Sequence, residues 1–432
     1  MGDNKFRLSI LSIFDNTLKL TWLASLLILT NFAIIVKKIN EFNLNININL
    51  LLIISLSLFI IVVFIYYLVI YRISRYEITN DMVVTYKNIF VKDRKEILIK
   101  NIANICVSQN IFERIFKLTR IEIYANEKNK IFCDFEVILN RKNYDRYILP
   151  FLVDNDFKYT NNAEENLIKF KIRDIIKHSI LSIPISSIIV IINFIMLLFT
   201  MFQNGSLLKE ISYNFLGLII TLVGFIFPVI YSVAKNLIKY LNYYVKRKNK
   251  NIYVSFGIFT KKLYIIPVSK INGLIADVSL LCAIFGCYKL NVITSGIGDS
   301  KNKLSMLFPI MKKKKCINIL KLILPEYEIP LKNKNQASKS LVVFGTKIII
   351  LMLMLVIPCI YINIKIALLI SLSLLILTFI IYLIKRIVIL DKYICVINGI
   401  FLKRLQIIRY EKIENVNIRD GIISKQMGIC KV

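Results

Sequence analysis

Hydrophobic and polar positions alternate along this chain on two length scales. On the long scale, six stretches are apolar on every face: about Leu20–Val36, Ile48–Tyr71, Ile180–Phe202, Tyr213–Ala234, Leu341–Ile362 and Ile366–Ile384. A bilayer core of ~30 Å needs about 20 such residues in a helix, so each stretch predicts a membrane span. An amphipathic helix of a soluble core has one apolar stripe instead. Short connections, Lys37–Asn47, Gln203–Ser212 and Asn363–Lys365, fold the six into three hairpins. The first span is followed at once by a second with no small-residue cleavage site between them, so it does not read as a signal peptide.

Paired spans put every long polar segment on one side of the membrane. Near the span ends that side carries twenty Lys and Arg, against four (Lys37, Lys38, Lys209 and Lys365) in the short connections. The positive-inside rule therefore makes the long segments cytoplasmic. Lys347 lies near a span end, where it can snorkel, and no Asp or Glu stands mid-span as an ion relay would need.

On the short scale, each long segment opens with a β-type alternation, and the three openings resemble one another. They are Asp81–Phe90, Asn251–Phe259 and Asp391–Phe401, in register on Asn88, Gly257 and Gly399, each followed by Ile-Phe. These three positions are expected to be the left-handed residues of tight hairpins. A basic strand returns over Lys92–Ile99, Lys261–Pro267 and Lys403–Tyr410. Fourteen residues after the register positions stand Ile102, Ile271 and Ile413, starting an Ile-x-x-Ile/Leu/Val strand that leads to a short helix. Ile115-Phe116-Lys117-Leu118 then matches Ile284-Phe285-Gly286-Cys287, and more loosely Gln426-Met427-Gly428-Ile429. In copy one Arg120–Ala125 and Lys130–Val137 continue the sheet, and Asn140 caps a helix to about Leu152. In copy two the equivalent helix is Lys312–Leu324, with Ile317, Leu320 and Leu324 on one face and Pro325 as its stop. The repeating unit is a hairpin plus a β-rich domain.

Hairpin plus domain, the strand–Gly-Ile-Phe–strand opening, and the late Phe308–Ile310 and Leu324–Glu326 stretch (Phe-Pro-Ile, Leu-Pro-Glu) resemble the bacterial membrane-flanked pleckstrin-homology-like family. The resemblance implies an α+β membrane protein of the three-repeat, multi-pass kind. Each repeat would hold a PH-like β-sandwich or barrel with a C-terminal capping helix. It further implies no enzymatic activity, a scaffolding part in the bacterial envelope, and a smaller one-repeat sibling as a protein partner. The expected segments are residues 1–71 (N-terminal segment and hairpin 1), 72–160 (PH-like domain 1) and 161–179 (linker). Then come 180–234 (hairpin 2), 235–337 (PH-like domain 2), 338–384 (hairpin 3) and 385–432 (partial PH-like domain 3). Copy three departs from the pattern: Val432 aligns with Ile121 of copy one, so the later strands and cap helix are lacking. A half-sheet with an open edge is expected to be unstable. A truncated reading frame, strands supplied by a partner and an incomplete record are the three explanations, and truncation is favoured.

Composition narrows the chemistry. The chain is 432 residues, 56% hydrophobic, with a formal net charge of +31, which suits anionic lipid headgroups better than nucleic acid given the spans. Two runs concentrate that charge. Lys246, Arg247, Lys248 and Lys250 follow the fourth span and are candidate anionic-lipid contacts, although a topology signal alone accounts for such a run. Lys312, Lys313, Lys314 and Lys315 open the expected cap helix, where cations oppose the helix dipole and so suggest an outside anion. The eight cysteines contain no CxxC and read as thiols in a reducing compartment. His178 is the one histidine and reads as structural. Gly296-Ile297-Gly298-Asp299 lacks phosphate-loop spacing, Glu164-Glu165 lies in a polar linker, and no catalytic triad or metal pattern exists. No cofactor, metal, catalytic residue or nucleic-acid partner is expected. The function expected is a membrane-anchored docking platform; the resemblance implies that it serves envelope maintenance or resistance to membrane-active compounds. A transporter or flippase-like component and a truncated remnant are the alternatives.

Overall fold

The computed structural model describes residues 5–30, 48–79, 81–88, 92–125, 133–154, 167–183, 196, 227, 229–294, 306–327, 329, 386–399, 402–413 and 416–418. Two units divide the chain: Met1–Glu164 with Lys248–Ser255 and Phe259–Pro267, and Glu165–Arg247 with Phe256–Ile258 and Val268–Val432. Most of the third to sixth apolar stretches, and the glycine turn at 296–299, lie outside the described residues.

In the first unit, β1 (Lys5–Phe6), β2 (Arg75–Ile78), β3 (Met82–Asn88) and β4 (Lys92–Leu98) form an antiparallel sheet in that order. A second sheet runs β7 (Phe135–Asn140), β6 (Leu118–Ala125), β5 (Ile102–Gln109), then β11 (Lys261–Pro267) and β10 (Asn251–Phe256) from copy two. Alternation sets the inner faces. Ile121, Ile123 and Ala125 of β6 point inward, between Arg120 and Glu122. Phe6, Tyr76, Val83 and Ile97 from the first sheet meet Ile105, Ile121, Phe135 and Val137 from the second in one core. Ile148, Phe151 and Leu152 close that core from a helical cap of three successive segments, Arg141–Asn143, Tyr144–Ile148 and Leu149–Asp154. Asn140 caps it as expected, its side chain accepting from the Asn143 N–H at 2.9 Å.

Two helices complete the unit. Leu11–Thr30 packs against Ile48–Ile73, with Phe14 5.6 Å from Phe64 between ring centroids. Within the latter, Ile54–Ile73 is long and apolar enough to cross a membrane, and little of it is buried. It is the one such helix among the described residues.

The second unit holds a six-stranded antiparallel sheet. Its order is β14 (Met306–Lys312), β13 (Cys287–Thr294), β12 (Ile271–Ser279), β17 (Leu402–Arg409), β16 (Tyr393–Asn398) and β15 (Arg386–Ile389). A two-strand pair, β8 (Leu167–Lys169) with β9 (Tyr244–Lys248), belongs mainly to the same unit. The cap helix is Lys313–Ile323.

Each unit therefore joins strands of consecutive copies edge to edge. In the first, strand four of copy two (β11) pairs with strand five of copy one (β5), setting Ile265 opposite Ile105 and Lys261 opposite Gln109. In the second, β17 of copy three, the counterpart of β4 in copy one and so strand four of its copy, pairs with strand five of copy two (β12), setting Ile407 opposite Leu274 and Lys403 opposite Val278. Counted from the repeat positions, the two registers are identical. Even the irregularity next to strand six recurs, between Ile102 and Asn104 and between Ile271 and Gly273.

Three expectations change. The half-sheet of copy three does not present an open edge at β17, because β12 covers it. Tyr393 Oη donates to the Glu326 carbonyl, and Arg404 reaches Asp277 at 3.0 Å. Asn88 is not a left-handed turn residue but the last residue of β3, opposite Lys92, whereas Gly257 (φ 101°) and Gly399 (φ 98°) are left-handed as expected. The buried face of the second cap helix starts one residue earlier than expected, with Cys316, Ile319, Leu320 and Ile323 inward and Ile317 half-buried. A cysteine at Cys316 behaves as a small apolar side chain and shifts the stripe.

Candidate functional site

The turn between strands five and six is built alike in both complete copies, around a short helix, Ile111–Ile115 in one and Leu280–Ile284 in the other. In copy one Asn110 caps it. Its Oδ1 accepts from the Glu113 N–H at 2.6 Å, and Glu113 Oε2 accepts from the Asn110 N–H at 2.8 Å. This reciprocal arrangement satisfies two orphan donors at once. In copy two Ser279 Oγ accepts from the Cys282 N–H at 3.3 Å. Each helix ends on a left-handed residue, Lys117 (φ 53°) and Gly286 (φ 60°). The second position is glycine, where that backbone costs least; the lysine at the first carries a steric penalty.

This geometry turns two apolar side chains outward in each copy. Ile115 is 70% exposed and Phe116 also points to the surface; Ile284 is 73% and Phe285 60% exposed. Around the first pair stand exposed Arg114 and Lys117. Beside the second pair, Lys312 lies opposite Cys287 in the β13–β14 ladder, and the Lys313 N–H donates to the Gly286 carbonyl at 3.1 Å.

A helix is anchored to each turn. In copy one Arg120 collects three carboxylates. Its Nε donates to Glu113 Oε1 at 2.8 Å, its Nη2 to Asp15 Oδ2 at 2.6 Å, and its Nη1 to Glu136. Burial alone would lower the guanidinium pKa, but Glu113, Glu136 and Asp15 outweigh it and raise it. Asp15 belongs to the helix Leu11–Thr30, which is thereby fixed to the turn. In copy two the anchored helix is Ile172–Leu181. Ser279 Oγ donates to the Leu181 carbonyl at 3.1 Å, and Leu181 packs with Val278, Cys282, Cys287 and Ile310. His178 of that helix is buried and accepts the Ile310 N–H on Nδ1 at 3.2 Å. Burial, then the nearby Lys289 and Lys239, push its pKa down to about 3, so the ring is neutral with its proton on Nε2.

The predicted basic runs fare differently. Lys312 and Lys314 are exposed and Lys313 half-buried, all beside the second turn or its cap helix. Lys315 forms a 3.1 Å ion pair with Asp174 of the anchored helix. The other run is not one exposed cluster. Lys246 is 2% exposed in β9, opposite Leu167. Arg247 grips both carboxylate oxygens of Glu326, at 3.0 and 2.7 Å, and donates to the Ile323 carbonyl at the end of the cap helix. Burial would raise the Glu326 pKa, but the bonds from Arg247 hold it below its ordinary value. A strand period of two, invisible in a run of like charges, alternates these side chains between faces. Lys248 is half-buried, and Lys250 is exposed in the turn after β9.

Other chemistry is sparse. No cluster of three or more potential metal ligands occurs among the described residues. Cys106, Cys282, Cys287, Cys316 and Cys395 are buried thiols, and burial pushes Cys106 and Cys316 up to about 12. Thiols so poised are packing groups, not nucleophiles.

A family model for the bacterial PH domain matches residues 21–142, 187–342 and 338–432. The UPF0699 transmembrane protein YdbT of Bacillus subtilis (strain 168) is 27% identical over 132 residues, which is 30% of this chain and 27% of that protein. The aligned stretch thus spans about a quarter of that relative's length. No solved structure matches significantly.

Proposed function

Because the chain belongs to the bacterial PH domain family, matched three times along its length, we propose that it is a membrane-anchored, non-enzymatic docking platform. Six spans in three hairpins would hold its PH-like copies at the cytoplasmic face of the cell membrane. The transmembrane description of the Bacillus relative and the apolar helix Ile54–Ile73 support the membrane location.

The observation that carries the platform reading is the pair of edge junctions in a single register. A protein that merely tethered independent modules would have no reason to spend strand edges on its neighbours. Pairing strand five of one copy with strand four of the next removes edges that would otherwise aggregate, and it makes a repeated surface. Nothing among the described residues pairs with the outer edge of β4, the strand equivalent to β11 and β17. A fifth strand from a smaller single-copy relative would add there in the same register. Envelope maintenance or resistance to membrane-active compounds is the process proposed.

The test is to affinity-tag the protein in its native membrane, solubilise it gently and identify what accompanies it. A stoichiometric smaller protein of the same family is the expected result. Recovery only as an aggregate without partners would favour the truncated remnant. Substrate flux in proteoliposomes would favour the transporter.

A further inference from the structure

The exposed Ile-Phe pairs are the feature that the platform does not yet use. A lone surface isoleucine needs no explanation. Two adjacent large apolar residues at the same turn of two diverged copies, each rimmed by cations, do need one.

Their surroundings say what covers them. In copy one the turn is fixed through Arg120 to Asp15. The preceding residue, Phe14, packs on Phe64 of the long apolar helix, two residues before the ring pair Tyr66–Tyr67. Tyrosines at that place on an apolar helix mark the headgroup level of a bilayer. In copy two the turn is fixed to Ile172–Leu181, whose buried face is Ile175, His178, Ser179 and Leu181. Its other face exposes Ile172, Ile176 and Ile180 at a spacing of four, beside exposed Lys171, Arg173 and Lys177. An apolar stripe flanked by Lys and Arg is the pattern of a helix lying in the membrane interface. Each Ile-Phe pair thus stands next to an element with its own independent signature of the headgroup region.

We propose that the turn between strands five and six is an interfacial wedge: it seats Ile115-Phe116 and Ile284-Phe285 among the lipids of an anionic leaflet. Arg114 and Lys117 in copy one, and Lys312 and Lys313 in copy two, lie over the acidic headgroups. The wedge holds each PH-like copy flat against the membrane, so that strand edges and the opposite surface stay available to partners. This rests on the membrane-anchored reading and adds to it a depth, a lipid charge and named contact residues.

The test uses the full chain in nanodiscs. Trp22 is the only tryptophan, so F285W in a W22F background gives a single reporter, with K321W as an exposed control on the cap helix. Lipids brominated at successive acyl positions report depth. In discs containing phosphatidylglycerol the F285W indole is expected to be quenched most by bromines high on the chain. That corresponds to a depth of about 5–10 Å below the headgroups. Quenching should weaken in purely phosphatidylcholine discs, and K321W should be unaffected. Absence of quenching in discs that have incorporated the protein overturns the wedge and leaves the platform standing. Equal quenching in both lipids overturns the role of the lysines. Failure of the protein to enter discs at all contradicts the membrane-anchored reading itself. A second reporter, I115W, keeps the test informative if F285W misfolds, with the same outcomes.

Discussion

Copies one and two do one job with opposite chemistry. Both fix a helix to the turn between strands five and six. Copy one does it with charge: Arg120 sits among Asp15, Glu113 and Glu136, with Glu113 wholly buried. Copy two does it mainly with neutral groups: Ser279 to the Leu181 carbonyl, His178 to the Ile310 N–H, and an apolar cluster around Cys282, with the half-exposed ion pair of Lys315 and Asp174 at the surface. The difference teaches that the fold conserves the attachment and leaves its chemistry free. A buried ion network is brittle, since removing one member strands the others. A neutral attachment loses its parts one at a time.

The sharpest way to break the comparison is Arg120→Ala. It leaves Glu113 buried without its counter-charge, and a cost of about 3–5 kcal/mol is expected in denaturant or thermal unfolding of the detergent-solubilised protein. No single change in copy two should match it. His178→Leu orphans the Ile310 N–H and is expected to cost about 1–3 kcal/mol. Ser279→Ala removes a helix cap together with a donor to Leu181, for about 1 kcal/mol. Lys315→Ala breaks an ion pair whose lysine is half exposed, so a change of about 0–1 kcal/mol is expected.

Acid separates the two attachments further. His178 has a folded pKa of about 3 against an ordinary value of 6.5. The unfolded chain therefore binds the extra proton first, and stability falls as pH drops from about 6.5 towards 3. The hydrogen-exchange protection factors of Ile172–Leu181, which correct for the slower intrinsic exchange in acid, should fall across that window. His178→Asn, which keeps an acceptor for Ile310 but cannot titrate, should flatten the response. An unchanged slope in that variant would assign the acid loss to other groups.

How far the sequence foretold all this depended on the range of the interaction. Local signals are legible: Asn140 as a cap, the strand starting at Ile102 and at Ile271, and the short helix after each. These follow from spacing and turn chemistry within a dozen residues. The edge junctions were not legible, because the alternation in β11 or β17 fits any strand edge, and pairing partners more than a hundred residues apart leave no local mark. Lys246 and Arg247 read as lipid contacts in the sequence because a basic run hides the face each residue occupies. The match between Ile115-Phe116 and Ile284-Phe285 was visible as repetition, but its exposure was not, since apolar residues are read as core by default. Repetition of two adjacent apolar residues at a turn, where a core has little to bury, was the available signal.

The central claim is that the PH-like copies lie on the cytoplasmic face of the membrane. Labelling lysines with a membrane-impermeant amine reagent, in intact cells and in inverted membrane vesicles, tests it on the unmodified protein. Lys314 and Lys250 should react only in inverted vesicles, and Lys37 and Lys38 only in intact cells. Labelling of Lys314 or Lys250 in intact cells, or recovery of the protein in the soluble fraction, would contradict the account.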